Sequence, residues 1–392
     1  MTIPFIIATC VLLLLAYVFD ITSAKTKIPS VILLLLIGWV VKLIVSYFDI
    51  AVPNLNPILP VFGTLGLILI VLEGALELEF TRSRLAFIGK SALVALLPIV
   101  LLSLALGFAF HYFGNSSFKT GLTNAIPFAI ISSAIAIPSA RNLTLQNREF
   151  VTYESSLSDI FGVILFNFVT LNDNIRASSV GYFLLEMLYI LIVTFVATLA
   201  LAYLLSKIKH HVKYVPIILM VFLIYGIAKI YHLPGLLFIL LFGIFLGNLD
   251  ELKHLNFIRR LKPDILEGEV QKLKELTIEA AFLIRALFFL LFGFLIETAE
   301  LFNIATLIWA LGITMGIFLI RYFFIKIFRL SVSPLLFIAP RGLITILLFL
   351  TIPASEIIGL SNKSLIIQVI VLTALVMMIG LIANKSQRAP NI

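Results

Sequence analysis

The sequence predicts an all-α polytopic membrane protein of 13 transmembrane helices, built as two inverted six-helix repeats with broken crossing helices at spans 5 and 12. The first observation behind this is composition. The 392 residues are 61% hydrophobic and 12% charged, whereas soluble domains carry about 25% charged residues. Because a spanning helix needs roughly 20 residues, the chain has room for about a dozen such helices with their loops. A single transmembrane domain, residues 1–392, is expected.

Apolar segments separated by charged residues, proline and glycine give the individual spans. They cover residues 3–20, 28–47, 57–79, 85–113, 120–141, 150–171, 181–206, 214–231, 235–249, 273–297, 303–328, 333–353 and 364–384. The first segment follows no basic region and precedes no small-residue cleavage site, so a spanning helix is predicted rather than a signal peptide. The single cysteine, Cys10, excludes a disulfide framework.

The basic residues alternate between loops, and this is the second observation. Of 28 Lys and Arg residues, 20 lie in loops after odd-numbered segments or in the C-terminal tail, and four lie in the other loops. Since cytoplasmic loops are enriched in Lys and Arg, the N-terminus is predicted outside and the C-terminus inside. Despite the net charge of +8, this distribution does not favour nucleic-acid binding, because no single basic face is formed.

Matching interruptions in two spans are the third observation. They comprise Ala136, Ile137 and Pro138 in span 5, and Pro340, Arg341 and Gly342 in span 12. A proline removes one helical hydrogen bond and clashes with the preceding turn, and unwound backbone at membrane depth persists only inside protein or beside a cavity. The two spans are seven apart, and an odd offset inverts topology. Paired interruptions of this kind indicate a transporter's binding site.

Asp159 is the strongest candidate for the residue that binds the transported ion. It lies in the middle of span 6, and Ser155 precedes it by four residues on the same helical face. A bare charge at the bilayer centre costs at least about 2.5–3.5 kcal/mol, so a buried carboxylate should hold either a proton or a cation. Competition for one site, combined with alternating access, is sufficient for antiport.

The other buried charges are expected to pair with one another. Glu154 needs a cationic partner, and Arg321, Arg285 and Arg341 are the candidates; a pair between Glu154 and Arg321 would be structural. Glu73 either completes the ion site through water or pairs with an arginine. The sequence carries no metal-ligand spacing, phosphate-binding glycine loop or nucleophile triad, so an enzyme is not favoured and no cofactor is expected.

Several stretches resemble the monovalent cation/proton antiporter superfamily, in the branch of bacterial sodium/proton antiporters and eukaryotic sodium/proton exchangers. They lie at residues 28–38, 69–78, 154–159, 224–248, 288–293 and 340–343. Glu-Ser-Ser-Leu-Ser-Asp at 154–159 is similar to the family's Glu-Ser-Leu-x-Asn-Asp, with Ser158 in place of the Asn. The resemblance implies that Asp159 carries ion and proton, that Ser155, Ser158 and Glu73 belong to the ion site, and that Glu154 pairs with Arg321.

The resemblance also implies a homodimer and an elevator mechanism. Spans 4–6 and 11–13, at about 85–171 and 303–384, would move as a core against spans 1–3 and 8–10, at about 3–79 and 214–297. One departure concerns the fifth helix, where the family has Thr-Asp-Pro and this chain has Ala136, Ile137 and Pro138. The change removes a hydroxyl and a carboxylate from the expected ion shell.

With one carboxylate in the site, electroneutral exchange of one cation for one proton is the simplest expectation. Sodium is the favoured ion, and lithium or potassium remain open. The predicted location is the lipid bilayer of the cell membrane, which is the inner membrane in a bacterium. The alternatives are a potassium/proton antiporter, a channel-like potassium conduit on the same scaffold, and a non-transporting relative.

Overall fold

The computed structural model describes residues 2–26, 28–50, 52–78, 85–172, 177–207, 213–231, 233, 235–252 and 263–383. Every regular element within these ranges is helical. In chain order the helices are α1 Thr2–Thr26, α2 Ser30–Tyr47, α3 Ile58–Glu77, α4 Leu85–Phe113, α5 Phe118–Ala129, α6 Ser133–Ser139, α7 Leu145–Leu171, α8 Ala177–Lys207, α9 Tyr214–Ile230, α10 Gly235–Gly247, α11 Leu249–Leu252, α12 Pro263–Phe294, α13 Thr298–Leu301, α14 Ile304–Ile327, α15 Val332–Leu335, α16 Leu343–Thr351 and α17 Lys363–Ala383, with a 3-10 turn at Ala354–Glu356.

The predicted all-helical membrane fold is confirmed. Among the described residues, nine helices are long and apolar enough to cross a membrane, with α5 and α6 counted together, and shorter apolar helices lie at Leu191–Leu204, Tyr214–Ile230 and Gly235–Gly247. Each of the predicted spans falls on one of these helices or on a broken pair. The number of 13 crossings and the orientation stay predictions. Part of the orientation rests on basic residues in 79–84, 208–212 and 253–262, which lie outside the described residues.

The chain forms two compact units, and the first holds both broken helices. It comprises Met1–Gly66, Ala92–Gly162 and Leu283–Ile392. In this unit α17 packs against α13, α14 and α15, and α16 packs against α5. Large aromatic side chains fill its interior; Phe110 and Phe128 are fully buried with ring centroids 6.1 Å apart. The interrupted segments are buried within this unit.

The second unit comprises Leu67–Ser91 and Val163–Phe282. Its helix α10 packs against α8 and α9. The side-chain amide of Asn248, just after α10, donates to the Leu78 carbonyl oxygen at 2.7 Å. Near the start of α12, Glu269 accepts a hydrogen bond from Tyr214 and pairs with Lys213, both at 2.5 Å. These polar contacts lie near the ends of α10 and α12.

The two broken spans differ in how well their position was predicted. Pro340, Arg341 and Gly342 lie in the non-helical stretch between α15 and α16. In span 5, however, the interruption lies at 130–132, between α5 and α6, and the predicted break at Ala136, Ile137 and Pro138 is wrong because these residues are helical. Pro138 removes only one hydrogen bond, next to the end of a short helix. The real break lies where distant residues supply partners for the freed backbone groups.

Candidate functional site

Asp159 lies on α7 and faces the break between α5 and α6. Its side chain is 3% exposed. The Oδ2 atom accepts hydrogen bonds from the Ser133 hydroxyl and, at 3.3 Å, from the Ser133 backbone N–H. The Oδ1 atom is buried and has no hydrogen-bond partner among the described residues. Asp159 is therefore a buried carboxylate with one hydrogen-bonded oxygen and, within the described ranges, one unpartnered oxygen.

The neighbouring Ser158 also makes a hydrogen bond to the break between α5 and α6. Its Oγ accepts a hydrogen bond from the backbone N–H of Ile131 at 2.9 Å. Buried backbone donors need partners, and the two consecutive side chains of α7 satisfy those of Ile131 and Ser133. The predicted site residues Asp159 and Ser158 thus have a role that the sequence did not indicate: they accept hydrogen bonds from backbone N–H groups at the interruption.

The two broken spans meet directly. The backbone N–H of Ser132 donates to the carbonyl oxygen of Pro340 at 2.9 Å. At Gly342 a Cβ atom would lie 2.9 Å from the Ser132 Oγ and 2.6 Å from the Ile135 Cδ1. Any larger residue there would force the Ser132 and Ile135 side chains to shift, so the two interruptions approach closely at this glycine. Asp159 therefore lies where the unwound segments of spans 5 and 12 cross.

Arg341 closes the end of the first half of span 5. Its side chain, 2% exposed, donates to the carbonyl oxygens of Phe128 at 2.7 Å, Ala129 at 3.2 Å and Ala339 at 2.7 Å. The last carbonyls of a helix lack partners within that helix, and a cation is favoured at this negative end of the helix dipole. Arg341 therefore satisfies backbone acceptors, and the structure does not bring it to the Glu154 carboxylate.

Glu154 and Arg321 are brought together. The guanidinium donates to the two carboxylate oxygens at 2.6 and 2.9 Å, and the side chains are 1% and 3% exposed. The Arg321 Nε also donates to the carbonyl oxygen of Leu335, at the end of α15, at 2.9 Å. Bidentate geometry of this kind is the strong form of the arginine–carboxylate contact. Of the three candidate arginines, Arg321 is the one that holds Glu154.

Among the described residues, the remaining predicted site residues make no hydrogen bond to Asp159. The Ser155 hydroxyl, fully inside the protein, donates to the Val151 carbonyl oxygen of its own helix at 2.7 Å, which leaves its oxygen able to accept or ligate. Glu73 lies on α3 in the second unit, and Arg285, 9% exposed, lies on α12 in the first. Ser133 was missed by sequence reasoning. The only signal for it was the run of small residues before Pro138.

The donor set suits a hard monovalent cation better than a transition metal. Within the ranges that the structure describes, no three His, Cys, Asp or Glu side chains gather as a metal-binding group. Carboxylate, hydroxyl and carbonyl oxygens surround the break instead, and such oxygens are the ligands of hard cations. The Asp159 carboxylate could hold either a proton or a hard cation.

A family profile and two solved structures match this chain. The sequence profile described as "Sodium/hydrogen exchanger, transmembrane" matches residues 10–385. No curated protein sequence matches the chain. The fold resembles that of the sodium proton antiporter MjNhaP1 from Methanocaldococcus jannaschii at pH 8, with a TM-score of 0.67 and 20% identity over 96% of this chain and 95% of that one.

A second structure of the same antiporter, from an electron-microscopy map, gives a TM-score of 0.70 at 20% identity over 100% of both chains. At this identity the likeness concerns the fold, whereas the profile match covers nearly the whole sequence. The chain therefore belongs to the sodium/hydrogen exchanger family of multi-pass cell-membrane transporters, which are cation/proton antiporters and not enzymes.

Proposed function

We propose that the protein exchanges sodium ions for protons, and that both bind in turn to the carboxylate of Asp159. The observation that carries this proposal is the free Oδ1 of Asp159, buried at the crossing of the two broken spans. A buried carboxylate without a permanent cationic partner is costly in its bare charged form. It therefore takes up a proton or a cation before the site is closed off from water.

Competition between the two ligands couples their movements. A proton on Asp159 removes the negative charge that attracts sodium, and a bound sodium ion keeps the proton away. If the site opens to one side of the membrane at a time, each sodium ion that leaves is replaced by a proton. Ser155, whose oxygen is free to ligate, is the further oxygen ligand in this proposal.

The exchange is electroneutral in this proposal. The second carboxylate of α7, Glu154, has both oxygens bound by Arg321, so its charge is balanced throughout the cycle. Only Asp159 exchanges a bound proton for a bound sodium ion. One sodium ion and one proton therefore carry equal charge in opposite directions, and the membrane potential should not drive the exchange.

The moving part is proposed to be the core of spans 4–6 and 11–13, about 85–171 and 303–384. Contacts between these spans support this. Span 6 is linked to span 11 by Glu154 and Arg321, span 5 to span 12 by Phe128 and Arg341, and span 12 to span 13 by the Arg341 N–H and the Thr373 hydroxyl. Such contacts favour movement as one body. Spans 1–3 and 8–10, about 3–79 and 214–297, would form the scaffold of a homodimer in the lipid bilayer.

The test uses purified protein in proteoliposomes with a preset proton gradient and an internal pH dye. Sodium, lithium or potassium is added to wild type and to Asp159→Asn. We expect sodium to trigger proton movement in wild type, at a rate unaffected by a clamped membrane potential, and no movement in Asp159→Asn. A response to potassium alone would indicate potassium/proton antiport. Potential-driven potassium flux without proton movement would favour a conduit, and no response from well-reconstituted wild type would contradict transport.

A further inference from the structure

One peptide group of the broken span 12 is hydrogen-bonded on both sides. The carbonyl oxygen of Pro340 accepts from the Ser132 N–H at 2.9 Å, and the N–H of the same peptide group, which belongs to Arg341, donates to the Thr373 hydroxyl oxygen at 3.1 Å. A trans peptide group is planar, and its C=O and N–H point in opposite directions. The two contacts therefore fix the orientation of this group between the break of span 5 and helix α17.

Thr373 is well suited to hold a backbone N–H. Its side chain is fully buried, and its hydroxyl donates to the Val369 carbonyl oxygen of α17 at 2.8 Å. Because the hydroxyl hydrogen is directed into its own helix, a lone pair of the oxygen faces the Arg341 N–H. Buried backbone donors need an acceptor, and a valine in this place would keep the shape of the side chain without supplying one.

Helix α17 is anchored on both sides of Thr373. Five residues earlier, the Gln368 side-chain amide donates to the Asn303 carbonyl oxygen at 3.0 Å, just before α14. Seven residues later, Gly380 lies against the Phe337 side chain, whose Cγ atom would be 2.1 Å from an added Cβ atom. Close-packed interiors resist displacement. Thr373 is therefore a fixed acceptor that holds the unwound chain in place.

We infer that Thr373 is a positioning residue for the exchange of sodium and protons, an inference that rests on the proposed role of Asp159. Thr373 holds the peptide group so that the Pro340 carbonyl oxygen faces Ser132. The next residue, Ser133, then presents its hydroxyl and its N–H to the Asp159 carboxylate. Thr373 does not ligate the ion. It acts through the hydrogen bonds that join the breaks of the two spans.

Loss of the Thr373 hydroxyl should weaken sodium binding while the carboxylate itself is unchanged. The released peptide group can rotate, so a smaller fraction of the molecules makes the Ser132 contact. An apparent affinity falls with the fraction of molecules that are competent to bind. We expect Thr373→Val to raise the KM for sodium roughly three- to tenfold, the range for one hydrogen bond, with little change in maximal rate.

The proteoliposome assay compares wild type with Thr373→Val and with a matched control, Thr314→Val. Thr314, on α14, is also buried, and its hydroxyl has no hydrogen-bond partner among the described residues, so Thr314→Val should match wild type. Thr373→Ser and Thr373→Ala form a second pair, which differs by the hydroxyl alone and replaces the first comparison if Thr373→Val folds poorly. Thr373→Ser should keep a KM close to that of wild type, and Thr373→Ala should show the increase.

Amide hydrogen exchange in detergent follows the peptide group without transport. In Thr373→Val, the fragments that contain Ser132 or Arg341 should lose about tenfold in protection, as for one lost hydrogen bond, while fragments from α9 keep wild-type protection. Loss of protection throughout the chain would indicate a general structural role and would overturn the inference, as would unchanged protection at both breaks.

The kinetic outcomes are equally decisive. Equal KM values for wild type and Thr373→Val, equal values for Thr373→Ser and Thr373→Ala, or an increase in Thr314→Val as large as that in Thr373→Val would each contradict the positioning role. Failure of the proposed function is distinct, because wild type would then show no sodium-dependent exchange or Asp159→Asn would retain it.

Discussion

Two carboxylates of helix α7 lie five residues apart and are both buried, yet their surroundings differ. Glu154 has both oxygens bound by one arginine, at 2.6 and 2.9 Å. Asp159 has one oxygen bound by Ser133 and the other without a partner among the described residues. Five residues along a helix place the two side chains on different faces, so the same helix offers a closed ion pair to α14 and an open carboxylate to the break.

The comparison shows that burial alone does not identify an exchange residue. A carboxylate with a fixed guanidinium cannot accept a proton without leaving a charged arginine buried, which is very costly. A carboxylate held by a hydroxyl and an amide N–H has no such restriction, because its neighbours are neutral. In the proposed function, the permanent counter-charge therefore separates the two roles: Glu154 belongs to a fixed ion pair, and Asp159 exchanges a proton for a cation.

The largest effect should come from breaking the closed pair. Arg321→Ala leaves the Glu154 charge buried without its partner, and the loss of one member of a buried pair lowers the free energy of unfolding by about 3–5 kcal/mol. The melting temperature in detergent should fall accordingly, and the yield of folded protein with it. Wild-type stability in Arg321→Ala would contradict the structural role.

The double replacement Glu154→Gln with Arg321→Met is the matched control. It removes both charges, and buried pairs exchanged for uncharged residues of similar volume are often neutral in stability. We expect it to recover most of the melting temperature that Arg321→Ala loses. If exchange also recovers, the pair contributes architecture and not ion chemistry.

The next effect concerns the open carboxylate. A ligand that binds only the folded state at 100 times its Kd stabilises that state by about 2.7 kcal/mol. Saturating sodium should therefore raise the melting temperature of wild type, and this increase should be absent in Asp159→Asn. Asp20→Asn, which neutralises an acidic residue outside the site, should retain it. A sodium-dependent increase in Asp159→Asn would place the ion elsewhere.

The sequence predicted the helical framework and one of its long-range contacts. Hydrophobic segments of spanning length form helices because a bilayer leaves backbone groups no other partner, so the segments could be read one by one. The pairing of Glu154 with Arg321 followed from resemblance, since a lone buried carboxylate needs a cation but three arginines were available. The spans follow from the local pattern of apolar residues, and the ion pair follows from the need of a buried carboxylate for a cation.

The position of the first break could not be predicted in the same way. Pro138 is the visible signal, but the chain unwinds at 130–132, where Ser158, Asp159 and Pro340 supply partners for the backbone N–H groups. Those partners lie far away in sequence. The sequence predicted that Ala136 removes a hydroxyl from the site. In the structure, the hydroxyl of Ser133 contacts the Asp159 carboxylate.

The third effect tests how α7 holds the break. Ser158→Ala leaves the buried N–H of Ile131 without its acceptor, and an unsatisfied buried donor costs about 1–3 kcal/mol. The melting temperature should fall by less than in Arg321→Ala. Ser156→Ala is the matched control, because the Ser156 Oγ is buried without a partner among the described residues, and its removal should be neutral or stabilising. Equal losses in the two variants would mean that the Ser158 contact contributes little.

The smallest effect should come from an ion pair of the same chemical type as Glu154 with Arg321 but in a wetter place. Asp20 on α1 contacts Arg141, just after α6, at 3.2 Å, and the Arg141 side chain is 52% exposed. Exposed pairs of this kind contribute about 0.2–1 kcal/mol and are weakened by salt. Asp20→Asn should therefore shift the melting temperature slightly at low ionic strength and not at high ionic strength, with exchange unchanged. A decrease in melting temperature as large as that of Arg321→Ala would show that the two ion pairs stabilise the protein equally. Burial would then not explain the difference between them.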